Sequence, residues 1–320
     1  MRVLFAGTPA IAVPSLEVLG REKGITLAGV LTNPDKPRGR KGESRPSEVC
    51  EAAQKILCLY KEQGRETFPI LKPEKPDAAV REEVNNLKPE LLVSFAYGHI
   101  FGPKFMALFP LGGINIHPSL LPKYRGPAPL QAAIINRDGE TGVSIQKLAQ
   151  EMDSGDILAV EYLQLTGAET TESLSEIVSH KAAGMLPSVL EKIAKGEKGI
   201  AQDHSKASFC SMISRDSGLI DWEKQSAAEI EARIRALTPW PLCRTIHNGR
   251  ELFILKAVVF DEKSKHGNPG QVLGIDKNGI LVQTESGILA VTELQYQAKK
   301  ALFWRDFLNG ARDFTGSKLG

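Results

Sequence analysis

Residues 2–9 read RVLFAGTP, four apolar side chains in a row followed by Gly-Thr-Pro. An apolar run closed by Gly and Pro is the pattern of a buried β-strand that opens into a loop. Working outward, residues 10–22 carry apolar positions at helical spacing, and residues 25–33 (ITLAGVLTN) form a second strand ended by Asn-Pro. Residues 46–63 are again helical in period, and residues 90–96 (ELLVSFA) and 113–117 (GINIH) add two more strands. Strands alternating with helices predict an α/β fold with a doubly wound, mostly parallel sheet. Such sheets bind ligands beyond the carboxyl ends of their strands. That rule gathers three loops: after Ala6, after Phe95 and around His117.

The texture changes near residue 190. Residues 191–206 are charged, Gly-containing and weakly periodic, which suits a linker. Short strand-like runs follow at 251–259, 270–273, 280–284 and 288–294, and residues 276–279 (DKNG) have the chemistry of a hairpin turn. The expected organisation is a catalytic domain over 1–190, a linker over 191–206, and a small OB-like β-barrel over 207–320. A chain of 320 residues is comfortable for two domains. Its 42% apolar and 24% charged residues are those of a globular protein, not of a disordered one. A net charge of +2 excludes a wholesale basic coat, so any nucleic-acid contact must come from local patches. Cys50, Cys58, Cys210 and Cys243 show no CxxC spacing and read as reduced thiols of a cytoplasmic protein. The N-terminal apolar run is too short for a signal peptide, and no stretch approaches the roughly 18 residues of a membrane span. The six His form neither HxxxH nor HxH, so no metal is expected.

The chemistry gathers on GINIH. Asn115 and His117 are two apart on a strand, so both side chains leave the same face. An amide and an imidazole aimed at one point can stabilise an oxyanion and move a proton. A strand-end His satisfied by the backbone would show the same spacing. The loop that follows, Pro118-Ser119-Leu120-Leu121-Pro122 and then Lys123-Tyr124-Arg125-Gly126, sets two Leu between prolines and could wall a flat ligand.

Residues 112–126 (GGINIHPSLLPKYRG) resemble the signature of the folate-dependent formyltransferases, and Met152-Asp153-Ser154-Gly155-Asp156 resembles that family's second motif. The resemblance implies a catalytic trio of Asn115, His117 and Asp153. It also implies a reduced-folate donor, 10-formyltetrahydrofolate. The donor would be held by Phe95, Ala96, Tyr97 and Gly98, whose backbone would bind the pterin, and by Ser119, Leu120, Leu121 and Pro122. Asp153 is expected to orient His117 and raise its pKa. Glu151 stands where the family usually has Gly, which would loosen the Asp153 loop. Gly7-Thr8-Pro9 lacks G-x-G-x-x-G, which argues against a dinucleotide site.

The likeness continues through Asn33-Pro34-Asp35-Lys36-Pro37, Leu130–Ile134, Gly218–Trp222, Ala236–Pro241 and Phe307–Gly310. It is similar to the branch of the family that acts on initiator methionyl-tRNA. Leu242 and Ala298 depart from that branch, which usually has Gly at both positions. Residues 35–45 hold five Lys and Arg against two acids, with Gly39 and Gly42 expected to make the loop mobile. A basic loop leaving a strand's carboxyl end suits phosphate contacts, although a solvated surface loop would look alike. The expected tRNA contacts are Lys36, Arg38, Arg40, Lys41 and Arg45, with Lys299 and Lys300 in the second domain, where Arg305 and Arg312 add charge. A monomer with no DNA or membrane partner is expected. An amino-sugar formyltransferase is the alternative enzyme. A non-catalytic RNA-binding protein is the alternative of another class, and the intact trio argues against it.

Overall fold

A computed structural model describes residues 1–38, 42–311 and 313–320. In chain order the first elements are β1 (Arg2–Gly7), α1 (Val13–Arg21), β2 (Thr26–Leu31), β3 (Lys36–Arg38), β4 (Glu43–Arg45), α2 (Glu48–Glu62), β5 (Ile70–Leu71) and α3 (Ala78–Asn86). Then come β6 (Leu91–Phe95), α4 (Pro103–Met106), β7 (Gly113–His117), α5 (Pro129–Ile135), β8 (Glu140–Lys147), β9 (Ile157–Gln164) and α6 (Thr171–Ala194).

Seven of these strands form one sheet in the order β5-β2-β1-β6-β7-β8-β9. The pairs β2/β5, β1/β2, β1/β6 and β6/β7 are parallel, and β7/β8 is antiparallel. Val3, Leu4, Phe5 and Ala6 are all fully buried, as a central strand covered on both faces requires. Leu4 and Ala6 join Val80 and Val84 of α3 and Phe105 in one core cluster. From β1 the chain proceeds to β2 on one side, whereas β6 lies on the other. This reversal opens a crevice at the strands' carboxyl ends, where α/β sheets take their ligands.

Within the stretch expected to be a mobile basic loop, the described β3 and β4 pair antiparallel, Lys36 with Arg45 and Arg38 with Glu43. Arg40 and Lys41 lie outside the described residues.

The later elements are α7 (Ala227–Leu237), β10 (Cys243–His247), β11 (Arg250–Asp261), β12 (Val272–Asp276), β13 (Gly279–Gln283), β14 (Ile288–Tyr296), β15 (Leu302–Phe303) and α8 (Trp304–Asn309). The strands form an antiparallel sheet in the order β10-β11-β14-β13-β12, with β15 on β14. The expected hairpin turn joins β12 to β13, pairing Asp276 with Gly279. The strand expected at 270–273 starts two residues later, because Gly270 (φ 81°) is a turn. Residues 316–320 bond to both edges: Val272 N donates to Ser317 O, Leu319 N to Gly270 O, and Gly320 N to Ile246 O. These tail residues thereby join β12 to β10 and close the ring of strands. The start of α7 is a capping box in which Ser226 and Glu229 satisfy each other's backbone N–H.

Leu242 (φ 70°) and Ala298 (φ 61°) both sit in the left-handed region, which accounts for glycine being the usual residue at those positions. Ala298 is exposed, so its methyl group buries nothing. Ala298→Gly should therefore raise stability by about 0.5–1 kcal/mol, read as a higher urea midpoint at constant m-value.

The described chain divides into two compact units. One gathers Met1–Pro129, Thr141–Leu163 and Ser175–Cys210, and the other gathers Leu130–Glu140, Gln164–Leu174 and Ser211–Gly320. Residues 191–206, expected as a linker, lie in the first unit. α6 continues to Ala194, Ile200 bridges to Ile157, and Gln202 is buried. The charged texture reports the exposed side chains of this segment and not its backbone, which is packed. No helix among the described residues is long and apolar enough to cross a membrane.

Candidate active site

β7 presents Asn115 and His117, and the antiparallel register with β8 sets Gln146 opposite Asn115 and Ser144 opposite His117. These four polar residues share one face of an otherwise apolar strand pair. The chain then turns back, and Asp153 returns to the same point at φ 52°, a left-handed conformation that Asp tolerates better than most residues. Asn115 Nδ2 donates to Asp153 Oδ1 at 3.2 Å, and Gln146 Nε2 donates to the same oxygen at 2.9 Å. Gly126 N donates to Oδ2 at 2.9 Å, and His117 Nδ1 lies 3.5 Å from Oδ2. The trio named from sequence thus meets around one carboxylate. Glu151 takes an ordinary backbone conformation, and Ser154 Oγ closes the turn onto its carbonyl at 2.9 Å, so the loop is not loosened there.

His117 Nε2 donates to the Tyr124 carbonyl at 2.8 Å. In the neutral ring this bond leaves Nδ1 without a proton and facing Asp153. Asp153 pulls the His117 pKa upward, as expected, but the net shift is downward. Burial pushes the imidazole below its ordinary 6.5, outweighing the upward pull of Asp153 and of the Tyr124 carbonyl. A ring that is only 4% exposed is poorly hydrated as a cation, and a single carboxylate at 3.5 Å does not offset that loss.

Residues 118–126 are fixed from behind. Ser144 Oγ donates to Ser119 O and accepts from Leu121 N, and Ser119 Oγ donates to Lys123 O. Residues 208–210 run alongside, with Arg125 N donating to Ser208 O and Cys210 N to Arg125 O. Ser119 and Leu121 are buried, whereas Leu120 and Pro122 are partly exposed.

The loop after β6 is tied to the two neighbouring loops. Thr8 Oγ1 and Asn33 Nδ2 both donate to Tyr97 O at 3.3 Å, and His99 Nε2 donates to Asn33 Oδ1 at 3.0 Å. Phe95 and Tyr97 point into the core, where burial pushes the Tyr97 phenol up to about 12. The Tyr97 ring stacks on Phe101 at 5.4 Å. Ala96 (φ 51°) and Gly98 (φ 89°) are exposed, so this loop offers backbone and not large side chains to a ligand.

Of the expected tRNA contacts, Lys36, Arg45, Lys299 and Lys300 are exposed. Arg45 also lies 3.7 Å from Glu43, a solvent-screened pair of little energetic weight. Arg312 lies outside the described residues. Among the described residues no group of three or more His, Cys, Asp or Glu could hold a metal ion.

Sequence reading missed Gln146 and Gln202. Gln146 left a signal: Ser144 and Gln146 are alternate polar positions in a buried strand. Gln202 left none.

Residues 1–190 match the family described as "Formyl transferase", and residues 212–312 match "Formyl transferase, C-terminal domain". The chain belongs to the formyl transferase family. Within it, the chain is 50% identical to "Methionyl-tRNA formyltransferase" of Treponema denticola, covering 98% of each chain. It is 44% identical to the same-named protein of Treponema pallidum, over 100% of this chain and 99% of the relative. Solved structures share the fold at low identity. The sugar 3N-formyl transferase WlaRD, crystallised with dTDP and 5-N-formyl-THF, superposes with a TM-score of 0.64 at 18% identity, covering 94% of this chain and 99% of its own. HypX from Aquifex aeolicus in complex with tetrahydrofolic acid gives 0.63 at 17% identity, covering 98% of this chain and 48% of its own.

Proposed function

We propose that this chain transfers the formyl group of 10-formyltetrahydrofolate to the α-amino group of initiator methionyl-tRNA. The carrying observation is the meeting of Asn115, His117 and Asp153 at the carboxyl ends of the sheet strands. Full-length identity to relatives that bear that activity in their names supports the choice of acceptor. The reading has the protein working as a monomer in the cytoplasm.

The folate supplies an electrophilic formyl carbon bonded to nitrogen. The loop at 95–98 would hold its flat ring through backbone groups, with Leu120 and Pro122 as apolar wall. Asn115 spends one N–H on Asp153, and its second can reach the oxygen that gains charge as the amine attacks. One such donor is worth about 3 kcal/mol. The attacking amine must lose a proton. Asp153 accepts it directly or relays it to the bare Nδ1 of His117, which then returns it to the departing folate nitrogen. One C–N bond forms, one breaks, and the proton passes from amine to folate. Cys and Ser are not needed as nucleophiles.

The direct test offers formyl-folate with either methionyl-tRNA or an amino-sugar nucleotide. Formylmethionyl-tRNA alone is the expected product. Formylation of the sugar alone would transfer the chain to that branch. The basic stretch is tested separately. Changing Arg38, Arg40 and Lys41 to Ala should flatten the salt dependence of tRNA binding by roughly two to three logarithmic units if each meets a phosphate. The KM for tRNA should rise while that for formyl-folate holds. A wild-type salt slope would make the stretch a solvated surface.

A further inference from the structure

Arg125 is 4% exposed, and its guanidinium donates to Gln202 Oε1 from Nε at 3.2 Å and from a terminal nitrogen at 2.6 Å. The same terminal nitrogen approaches His204 Nδ1 at 3.1 Å. A guanidinium has donors only, so it fixes which end of the Gln202 amide faces it. Gln202 Nε2 must then point the other way, to Gln146 Oε1 at 3.1 Å, Asp153 O at 2.9 Å and Gly155 O at 2.7 Å. Gln146 Oε1 also accepts from Gly155 N at 3.1 Å. With its oxygen committed twice, Gln146 turns its Nε2 to Asp153 Oδ1.

We propose that Gln202 and Gln146 are positioning residues for formyl transfer, a two-amide relay whose polarity is set by Arg125 and which keeps an N–H donor on Asp153. The proposal rests on Asp153 acting in the reaction. The two ends of an amide have nearly the same shape, so only partner polarity selects the orientation. Reversed, Gln146 would set an oxygen against the carboxylate. Gln202 additionally clasps the carbonyl of Asp153, a residue in left-handed conformation, and that of Gly155 two residues later. The relay therefore controls both the place of the carboxylate and the charge it sees, while adding no charge that competes with His117.

The ionisable groups facing Asp153 are His117 from β7 and the Cys210 thiol from the adjoining segment, with Arg125 and His204 further along the relay. Burial pushes the Cys210 thiol up, so it adds no charge beside Asp153 across the acidic and neutral range.

The experiment compares Gln202→Met, Gln146→Met, Gln146→Glu and Asp153→Asn in the full-length protein. Steady-state rates are measured from pH 5 to 9 with formyl-folate and methionyl-tRNA, and folding is checked by thermal melts. The Met variants keep volume and lose the relay; kcat should fall roughly 10- to 100-fold with both KM values within about twofold. The double Met variant should be little worse than either single variant, since the residues act as one unit. Gln146→Glu changes one heavy atom and sets a second carboxylate against Asp153 Oδ1. The two would share a proton, and the acid limb of kcat should move up by about one pH unit or more. A packing role alone would not move that limb. Unchanged kcat in the Met variants and an unmoved limb in Gln146→Glu, with Asp153→Asn inactive, would overturn the relay and leave Asp153 in place. Wild-type turnover in Asp153→Asn would remove Asp153 from the reaction and the relay with it.

Discussion

Replacing His117 with Ala should lower kcat by about 100-fold or more while both KM values stay within about twofold of the parent. The ring makes no hydrogen bond to the side chains or backbone of residues 95–98 and 119–122, which are expected to hold the folate. Its one strong bond is to the Tyr124 carbonyl, and its Nδ1 faces Asp153. Removing it should delete the proposed proton carrier between the attacking and leaving nitrogens and leave substrate binding alone. The pH dependence gives a second signature. The imidazole must be neutral to accept a proton, and burial holds its pKa below 6.5 in the free enzyme. The His117 component of the acid limb of kcat/KM should therefore lie below pH 6.5, with activity lost as pH falls through it, separate from the component set by the substrate amine. The Ala variant should lose that limb's His component. Near-parental turnover, or an acid limb that the Ala variant keeps unchanged, would remove His117 from proton transfer.

Gly155→Ala should be as damaging by a different route. A Cβ at this position would sit 1.8 Å from the Lys147 carbonyl oxygen and 2.8 Å from its carbon, so the obstacle is backbone and cannot swing aside. The two strands are also locked there, because Lys147 N donates to Asp156 O at 2.9 Å. Room for the methyl can come only by pushing the turn outward, which carries Asp153 off the Gln146 amide. The expected result is about 3 kcal/mol of lost stability and a kcat lowered about 100-fold by displacement of the carboxylate. Gly139→Ala is the matched control, since a Cβ there meets nothing within 4 Å. It should stay within about 0.5 kcal/mol of the parent. Urea unfolding and turnover measured on both variants decide the point. A stable, active Gly155→Ala protein would mean that the turn can shift without consequence.

What was legible in the sequence was legible because it is local. The period of two in GINIH puts Asn115 and His117 on one face whatever the rest of the chain does. Apolar runs closed by Gly and Pro mark strands wherever they occur, and their alternation with helical periods is enough to imply the mostly parallel sheet. The resemblance of two motifs named Asp153. The identities of Leu242 and Ala298 marked departures, and the backbone explains them as left-handed positions occupied without glycine.

What the sequence left open depends on distance and burial. Asp153 reaches Asn115 across 38 residues because the antiparallel pairing of β8 with β7 sets Gln146 beside Asn115. Gln202 meets the Asp153 carbonyl across 49 residues from a segment whose composition reads as linker. Its amide is ordinary until Arg125 gives it a polarity. The His117 pKa shows the same division most sharply. From the motifs one could read the neighbouring carboxylate and infer an upward shift. Only the folded chain supplies the burial that reverses it, because desolvation depends on everything packed around a group and not on any one neighbour. The sequence by itself picked out Asn115, His117 and Asp153, the residues that the fold brings together. The tertiary structure decided their protonation, their orientation and the amides that hold them, since these arise from packing among residues far apart in the chain.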